Sequence, residues 1–175
     1  MEIRKVAVLG LGRMGSRMAS RLLGRDWKVT VWNRSPDKMS ALVAQGAESA
    51  GSARDAVADC DLVITMLENG PVVEEVVFGG EIAMAMNAGA ILIDMSSIPP
   101  VTARDHGKRL NSLELKYLDA PVSGGTKGAE EGTLAILCGG SSENVALAKP
   151  VLSLLGNPTH VGSNGSGQLA KLCNQ

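Results

Sequence analysis

Aromatic side chains are nearly missing from this chain of 175 residues: they make up 2%, as one Phe, one Tyr and two Trp. Its core must therefore be built from Ala, Val, Leu, Ile and Met. An excess of charge of one sign is missing as well. Lys and Arg (17) balance Asp and Glu (18) to a net charge of −1, so there is no electrostatic argument for nucleic acid or an anionic membrane as partner. No apolar run approaches the ~20 residues of a membrane span. Cysteine is sparse and odd in number. Cys60, Cys138 and Cys173 are scattered without metal-ligand spacing, which suits a reducing cytoplasm. The first apolar run starts almost at once, so no secretory leader is expected. What remains, 45% hydrophobic and 20% charged residues, is the composition of a soluble globular domain with a real core.

What is present is organised around Val6-Ala7-Val8-Leu9-Gly10-Leu11-Gly12-Arg13-Met14-Gly15. An apolar, β-branched run ends in Gly-x-Gly-x-x-Gly and passes directly into residues 16–23, whose apolar positions are spaced as in a helix. Gly10 permits the tight turn off the strand, Gly12 lets a pyrophosphate approach the backbone, and Gly15 lets helix and strand pack closely. Free N–H groups and the positive end of the helix dipole then face the anion. In a glycine-rich chain the motif alone is weak; the strand before it and the helix after it give it value.

Residues 27–32 read as a second strand, closed by Asn33-Arg34-Ser35, with Pro36 opening the next helix. An NAD-selective site usually carries an acid here for the ribose 2′-hydroxyl, and none precedes Asp37. Arg34 offers a planar cation for a 2′-phosphate, with the Ser35 hydroxyl and Asn33 amide beside it, so the expected cofactor is NADP, with NAD as the weaker alternative. The plainer reading of Arg34 is a solvated turn residue.

Helical turns follow at 39–45 and 52–58, and 61–67 is a third strand, apolar on both faces, whose end at Met66-Leu67 should border the cofactor. Residues 71–78 and 81–86 read as helices, with Met84 and Met86 expected as core filling. Residues 90–94 form a fourth strand. Ser96 and Ser97 at its end can contact a nicotinamide ribose or substrate, or merely cap the Pro-started helix over 101–111. His106 in that helix is expected as a solvated surface residue, and His160 at a strand edge; neither is read as catalytic. The fifth strand, 115–120, leads into Pro121-Val122-Ser123-Gly124-Gly125. Ser123 lacks the Gly-x-Ser-x-Gly frame of a hydrolase nucleophile. A Ser-Gly-Gly turn instead offers a hydroxyl and successive backbone N–H groups to a carboxylate. A strand at 133–138, a helix at 143–154 and a seventh strand at 159–161 complete the sheet. A glycine-rich turn then launches a helix that places Lys171, Asn174 and Gln175 on one side. That side is either an ordinary wet surface or a catalytic lysine beside substrate-binding amides.

Taken in order, residues 10–15, Asn33-Arg34-Ser35, Thr65-Met66-Leu67, Asp94-Met95-Ser96-Ser97, residues 119–125 and residues 162–174 resemble the β-hydroxyacid dehydrogenase family along the whole chain. The resemblance implies an α/β fold: a Rossmann-type, NAD(P)-binding, doubly wound and mostly parallel sheet over residues 1–162. It also implies that residues 163–175 begin a long helix leading to an all-helical C-terminal domain, which this chain is expected to lack. In the family that domain completes the cleft and the interface of a homo-oligomer, so the 175 residues alone are expected to be inactive or nearly so. By similarity Lys171 is catalytic, and Ser123, Gly124, Gly125, Asn174 and Gln175 bind a small carboxylate substrate. Ser97 touches the nicotinamide end, while Gly10, Leu11, Gly12, Arg13, Met14, Gly15, Asn33, Arg34, Ser35, Met66 and Leu67 hold the cofactor. Two positions depart from the family pattern: Glu68 replaces a usual proline, and Gln175 stands where many relatives have Asn.

The expected chemistry is hydride transfer between a nicotinamide and the carbon of a small β-hydroxy (or 2-hydroxy) acid or its semialdehyde or keto acid, with Lys171 moving the proton. Two rivals are weighed. Related imine reductases share the scaffold but generally lack that lysine, and a non-catalytic dinucleotide-binding or assembly module would not need it.

Overall fold

The structure is a computed structural model, and it describes residues 2–174. The first strand, β1 (Lys5–Leu9), shows why a parallel sheet forms. Val6 and Val8 point to one face, Ala7 and Leu9 to the other, and all are fully buried. A strand apolar on both faces must be covered on both, which here is done by helices. β1 pairs in parallel with β2 (Lys28–Trp32), whose outer edge takes β3 (Glu48–Ser49). On its other side run β4 (Leu62–Thr65), β5 (Ile91–Asp94) and β6 (Lys116–Asp119), again all parallel. The order β3-β2-β1-β4-β5-β6 is that of a Rossmann sheet, and it reverses between β1 and β4.

Beyond β6 the sheet turns antiparallel. β8 (Leu134–Gly139) pairs Asp119 with Gly139, and Ser123 of β7 (Val122–Ser123) with Ala135. β7 thus continues the line of β6 after a break at Ala120-Pro121, where proline cannot donate to the ladder. β9 (Gly156–Gly162) runs parallel to β8 and completes a nine-stranded sheet. The sequence predicts seven strands. The additional two, β3 and β7, are two residues each and too short to carry an alternating pattern.

One face of the sheet is covered by α1 (Gly15–Leu22), α7 (Gly125–Glu131) and α8 (Ser142–Leu155), which bring Met18, Leu22, Ala129, Val151 and Leu155 onto Val6, Val8, Leu62 and Ile64. The opposite face receives Val57 of α3 (Ala53–Val57) and Val73 of α4 (Gly70–Glu74), with Val77 from a single π turn (Glu75–Gly79) that prolongs α4. Ile82 of α5 (Ile82–Ala85) and Ala103 and Leu110 of α6 (Pro100–Ser112) complete it. The short α2 (Ser40–Val43) follows a 3₁₀ turn, Pro36–Met39. The last helix, α9 (Ser166–Asn174), buries Gly167 and Gln168 of its first turn. Local sequence chemistry starts several of these helices: Ser52, Asn69 and Ser141 accept from the N–H groups of Asp55, Val72 and Asn144.

The structure corrects two expectations and adds one helix. His106 is 1% exposed, not a surface residue: its Nε2 lies 2.9 Å from Glu74 Oε2 and its ring centroid 5.1 Å from that of Phe78. Charged neighbours mask the inward stripe Ala103, His106, Gly107 and Leu110, which nonetheless has helical spacing. Met84 is 68% exposed while Met86 is buried, so only the second fills the core. Beyond the Ser-Gly-Gly turn the sequence suggests no element before residue 133, yet Gly125–Glu131 form α7, a helix without apolar periodicity that is held by burying Gly128 and Ala129.

Candidate active site

The reversal of strand order between β1 and β4 opens a crevice at their carboxyl ends, and the glycine loop lies across it. Gly10 leaves β1 at φ +94, a left-handed conformation open to glycine, and its N–H donates to Trp32 O (3.0 Å). A Cβ on Gly15 would overlap the carbonyl of Gly10, so α1 can begin this close to the strand only with glycine. Gly12 differs: a Cβ there would meet no protein atom within 4 Å. Packing within the chain does not call for glycine at 12, whereas a pyrophosphate seated on the loop would. On that test the loop fits a dinucleotide.

Asn33 braces the loop from the end of β2. Its Oδ1 accepts from Leu11 N–H (2.8 Å) and its Nδ2 donates to Ser35 O (3.1 Å). The amide is thus engaged within the protein. Leu11, 2% exposed, is buried under the loop and places its backbone at the site. Met66 N–H donates to Leu9 O (2.9 Å) and Leu67 N–H to Ser96 Oγ (2.9 Å), tying the end of β4 to both neighbouring strands. Together Gly10, Gly12, Arg13, Met14 and Gly15, then Asn33, Arg34 and Ser35, then Met66 and Leu67 line one groove of about 520 Å³. Lys38, Val72, Glu75 and Val76 also line it and were not singled out from the sequence. Val72 and Val76 are one helical turn apart and give the groove an apolar wall.

A second group of predicted residues meets further along the carboxyl ends of the strands. Lys171 of α9, half-buried, donates from Nζ to the carbonyl of Val122 (2.5 Å), immediately before Ser123. Gly124 (φ +131) and Gly125 (φ +61) are exposed at the start of α7. Ser97 is exposed in the loop between β5 and α6, outside the groove lining. Asn174 is exposed one turn past Lys171, and Gln175 lies outside the described residues.

Beneath both groups runs a buried polar network that sequence reasoning missed. Asp119, fully buried, accepts from Gly165 N–H (2.7 Å) and Gln168 N–H (3.0 Å), fixing the first turn of α9. Burial pushes its carboxyl up to about 6, against the pull of those backbone hydrogen bonds. Gln168, 2% exposed, donates from Nε2 to Ser96 O (2.8 Å) and accepts at Oε1 from Ile98 N–H (3.2 Å). Asp94 Oδ1 accepts from Thr65 Oγ1 (2.9 Å) and Ser96 N–H (3.0 Å). Its Oδ2 is buried without a partner among the described residues, and burial raises its pKa. The available signal was position: Thr65, Asp94 and Asp119 each end a strand.

The crevice and its glycine loop define a nicotinamide-dinucleotide-binding domain. The sequence matches the family model described as the NAD binding domain of 6-phosphogluconate dehydrogenase over residues 5–164. The chain belongs to the β-hydroxyacid dehydrogenase family and carries its N-terminal, dinucleotide-binding domain. It is 44% identical to 3-hydroxyisobutyrate dehydrogenase of Pseudomonas aeruginosa over 171 residues, 97% of this chain and 57% of that protein. It is 41% identical to 2-hydroxy-3-oxopropionate reductase of Escherichia coli, over 98% of this chain and 59% of the relative. Among solved structures it resembles Mycobacterium tuberculosis 3-hydroxyisobutyrate dehydrogenase with L-serine, at TM-score 0.94 and 38% identity, covering 99% of this chain and 59% of the other. A Streptomyces aurantiacus imine reductase matches at TM-score 0.88 and 29% identity, covering 98% and 60%. The chain thus spans somewhat over half the length of these relatives. No helix among the described residues is long and apolar enough to cross a membrane.

Proposed function

We propose that the protein is an NADP-dependent oxidoreductase that interconverts a small β-hydroxy (or 2-hydroxy) acid with its semialdehyde or keto acid, with Lys171 as general acid/base. The observation that carries this reading is the seating of Lys171 Nζ on Val122 O, beside Ser123. When bound, the dinucleotide supplies or accepts a hydride at its nicotinamide ring. The backbone N–H groups of residues 12–15 hold the pyrophosphate at the start of α1, those of Gly10 and Leu11 being taken by Trp32 O and Asn33 Oδ1. Arg34, Ser35 and Lys38 line the same groove, and two cations with a hydroxyl suit a ribose 2′-phosphate; no carboxylate stands at positions 33–35. At the other end Ser123 and the N–H groups of Gly124 and Gly125 bind the substrate carboxylate, which fixes the reacting carbon. Lys171 gives a proton to the carbonyl oxygen when it is reduced and takes one from the hydroxyl when it is oxidised. Imine reduction, a second reading favoured by the TM-score of 0.88 to an imine reductase, leaves the Ser123 turn without a carboxylate to hold.

The test is calorimetric titration of NADPH and NADH, followed by turnover of small semialdehydes by the full-length protein, C-terminal helical domain included, as wild type and as Lys171→Ala. The expected result is tighter binding of NADPH, kept in Lys171→Ala while turnover is lost. Turnover retained by Lys171→Ala would overturn the assignment.

A further inference from the structure

Lys171 and Ser97 sit on different elements, and no hydrogen bond among the described residues joins them directly. One buried side chain links their two segments. Gln168 precedes Lys171 by three residues on α9, so both project from the same side of the helix. Its carboxamide bonds the peptide groups on either side of Ser97: Nε2 donates to Ser96 O (2.8 Å), and Oε1 accepts from Ile98 N–H (3.2 Å). An amide is the neutral side chain that presents a donor and an acceptor side by side, as this pair of backbone groups requires. The same residue is held from below, where its own N–H donates to Asp119 Oδ2 (3.0 Å) and Gly165 N–H to Asp119 Oδ1 (2.7 Å). The network continues outward, because Ser96 Oγ accepts from Leu67 N–H at the rim of the dinucleotide groove. Hydrogen bonds therefore run from β4 through the β5–α6 loop and Gln168 to the end of β6.

From this arrangement we infer that Gln168 is a positioning residue. It sets the spacing between the Ser97 loop and the Lys171 turn of α9, and so shapes the nicotinamide end of the cleft while leaving the adenine end alone. This inference rests on the dinucleotide-site reading above. A buried glutamine that only stabilised the fold would be lost at equal cost to both ends of the site. A spacer is lost at one end.

The experiment compares two ligands and two variants of the 175-residue chain. NADPH reaches both ends of the groove, whereas 2′,5′-ADP occupies the adenine end. Gln168→Ala is expected to weaken NADPH about fivefold or more and leave 2′,5′-ADP within about twofold. Gln168→Glu is expected to lie closer to wild type at pH 5, where burial favours the protonated carboxyl that can still donate to Ser96 O, and to behave like the alanine variant at pH 8. Amide hydrogen exchange of the ligand-free chains supplies a readout independent of binding. In Gln168→Ala, exchange should quicken at Ile98 and along residues 168–171 and stay unchanged at residues 10–15. Equal weakening of both ligands, absence of any change, or exchange that rises uniformly would each overturn the inference. Should the wild type bind neither ligand, the dinucleotide reading falls. The exchange pattern still decides whether Gln168 couples loop and helix.

Discussion

Gly15 begins its helix directly against the carbonyl of Gly10, at a separation that leaves no room for a side-chain carbon. The third glycine of the motif is thereby a requirement of the fold, while a Cβ on Gly12 between them would meet no atom of the described residues within 4 Å. The two positions should separate cleanly on mutation. Gly15→Ala is expected to destabilise the domain by about 2–3 kcal/mol through backbone displacement, as overpacked sites do. Gly12→Ala should unfold at nearly the wild-type denaturant midpoint but lose dinucleotide affinity about tenfold or more, since the new methyl group intrudes on the pyrophosphate seat. Chemical denaturation and calorimetry on the pair check both halves. Equal stabilities would refute the division.

Arg34 carries the 2′-phosphate proposal. It lines the groove with Ser35 and Lys38 and makes no ion pair among the described residues. Arg34→Ala should cost NADPH about tenfold to a hundredfold in affinity, the range of a lost charge-assisted hydrogen bond, and leave NADH nearly unchanged. Titration of both cofactors against the variant reads this directly. If NADPH and NADH lose affinity alike, Arg34 does not recognise the phosphate.

Arg21 has a structural task at a distance from the site. From α1 its Nε donates to Leu154 O (2.7 Å) and its Nη1 to Glu130 O (3.0 Å), satisfying carbonyls near the ends of α8 and α7. Arg21→Met keeps much of the apolar stem and removes both bonds. The expected loss is about 2 kcal/mol of unfolding free energy, measured by denaturant titration, with dinucleotide affinity unaffected. Arg21→Lys should recover only part of it, because an ammonium lacks the fork that reaches two carbonyls.

The legibility of the fold follows from how local each cause is. The β1–glycine–α1 unit is readable because strand, turn and helix lie within one short stretch, each residue answering to its neighbours. α7 is not legible in the sequence because Gly125 and Gly128 are poor helix formers and no apolar periodicity offsets them; only packing of Gly128 and Ala129 against the rest of the fold makes a helix there. His106 was misread because Glu74, its partner, lies 32 residues away and turns an apparent surface position into a buried polar contact. Asp119 signals only by its place at the end of a strand, and Gln168 carries no local signal. Their partners are 46 to 72 residues distant, so their roles exist only once β5, β6 and α9 are side by side.

Asp119 also makes stability depend on pH in a direction opposite to that of an ordinary surface carboxylate. Burial raises its carboxyl from the usual 3.8 to about 6, with the hydrogen bonds from Gly165 and Gln168 acting against the rise. A raised native value means that the folded state binds more protons than the unfolded state between these limits, so stability falls as pH climbs through that window. The full effect is on the order of 3 kcal/mol, complete by neutral pH. Glu74 works the other way. Partial burial raises its pKa, but bonds from Arg109 and His106 outweigh that and lower it, so its contribution is present above about pH 4.5 and fades below. Between pH 5 and 7 Glu74 is mostly ionised in both states, and it is shared by wild type and variant, so the difference between them reads Asp119. Wild type should melt at a lower temperature at pH 7 than at pH 5. Asp119→Asn, unable to ionise, should lose most of that difference while starting from lower stability, since one of the two N–H donors, Gly165 or Gln168, now faces an NH₂ group. Identical pH slopes in the two proteins would show that Asp119 does not titrate in this range.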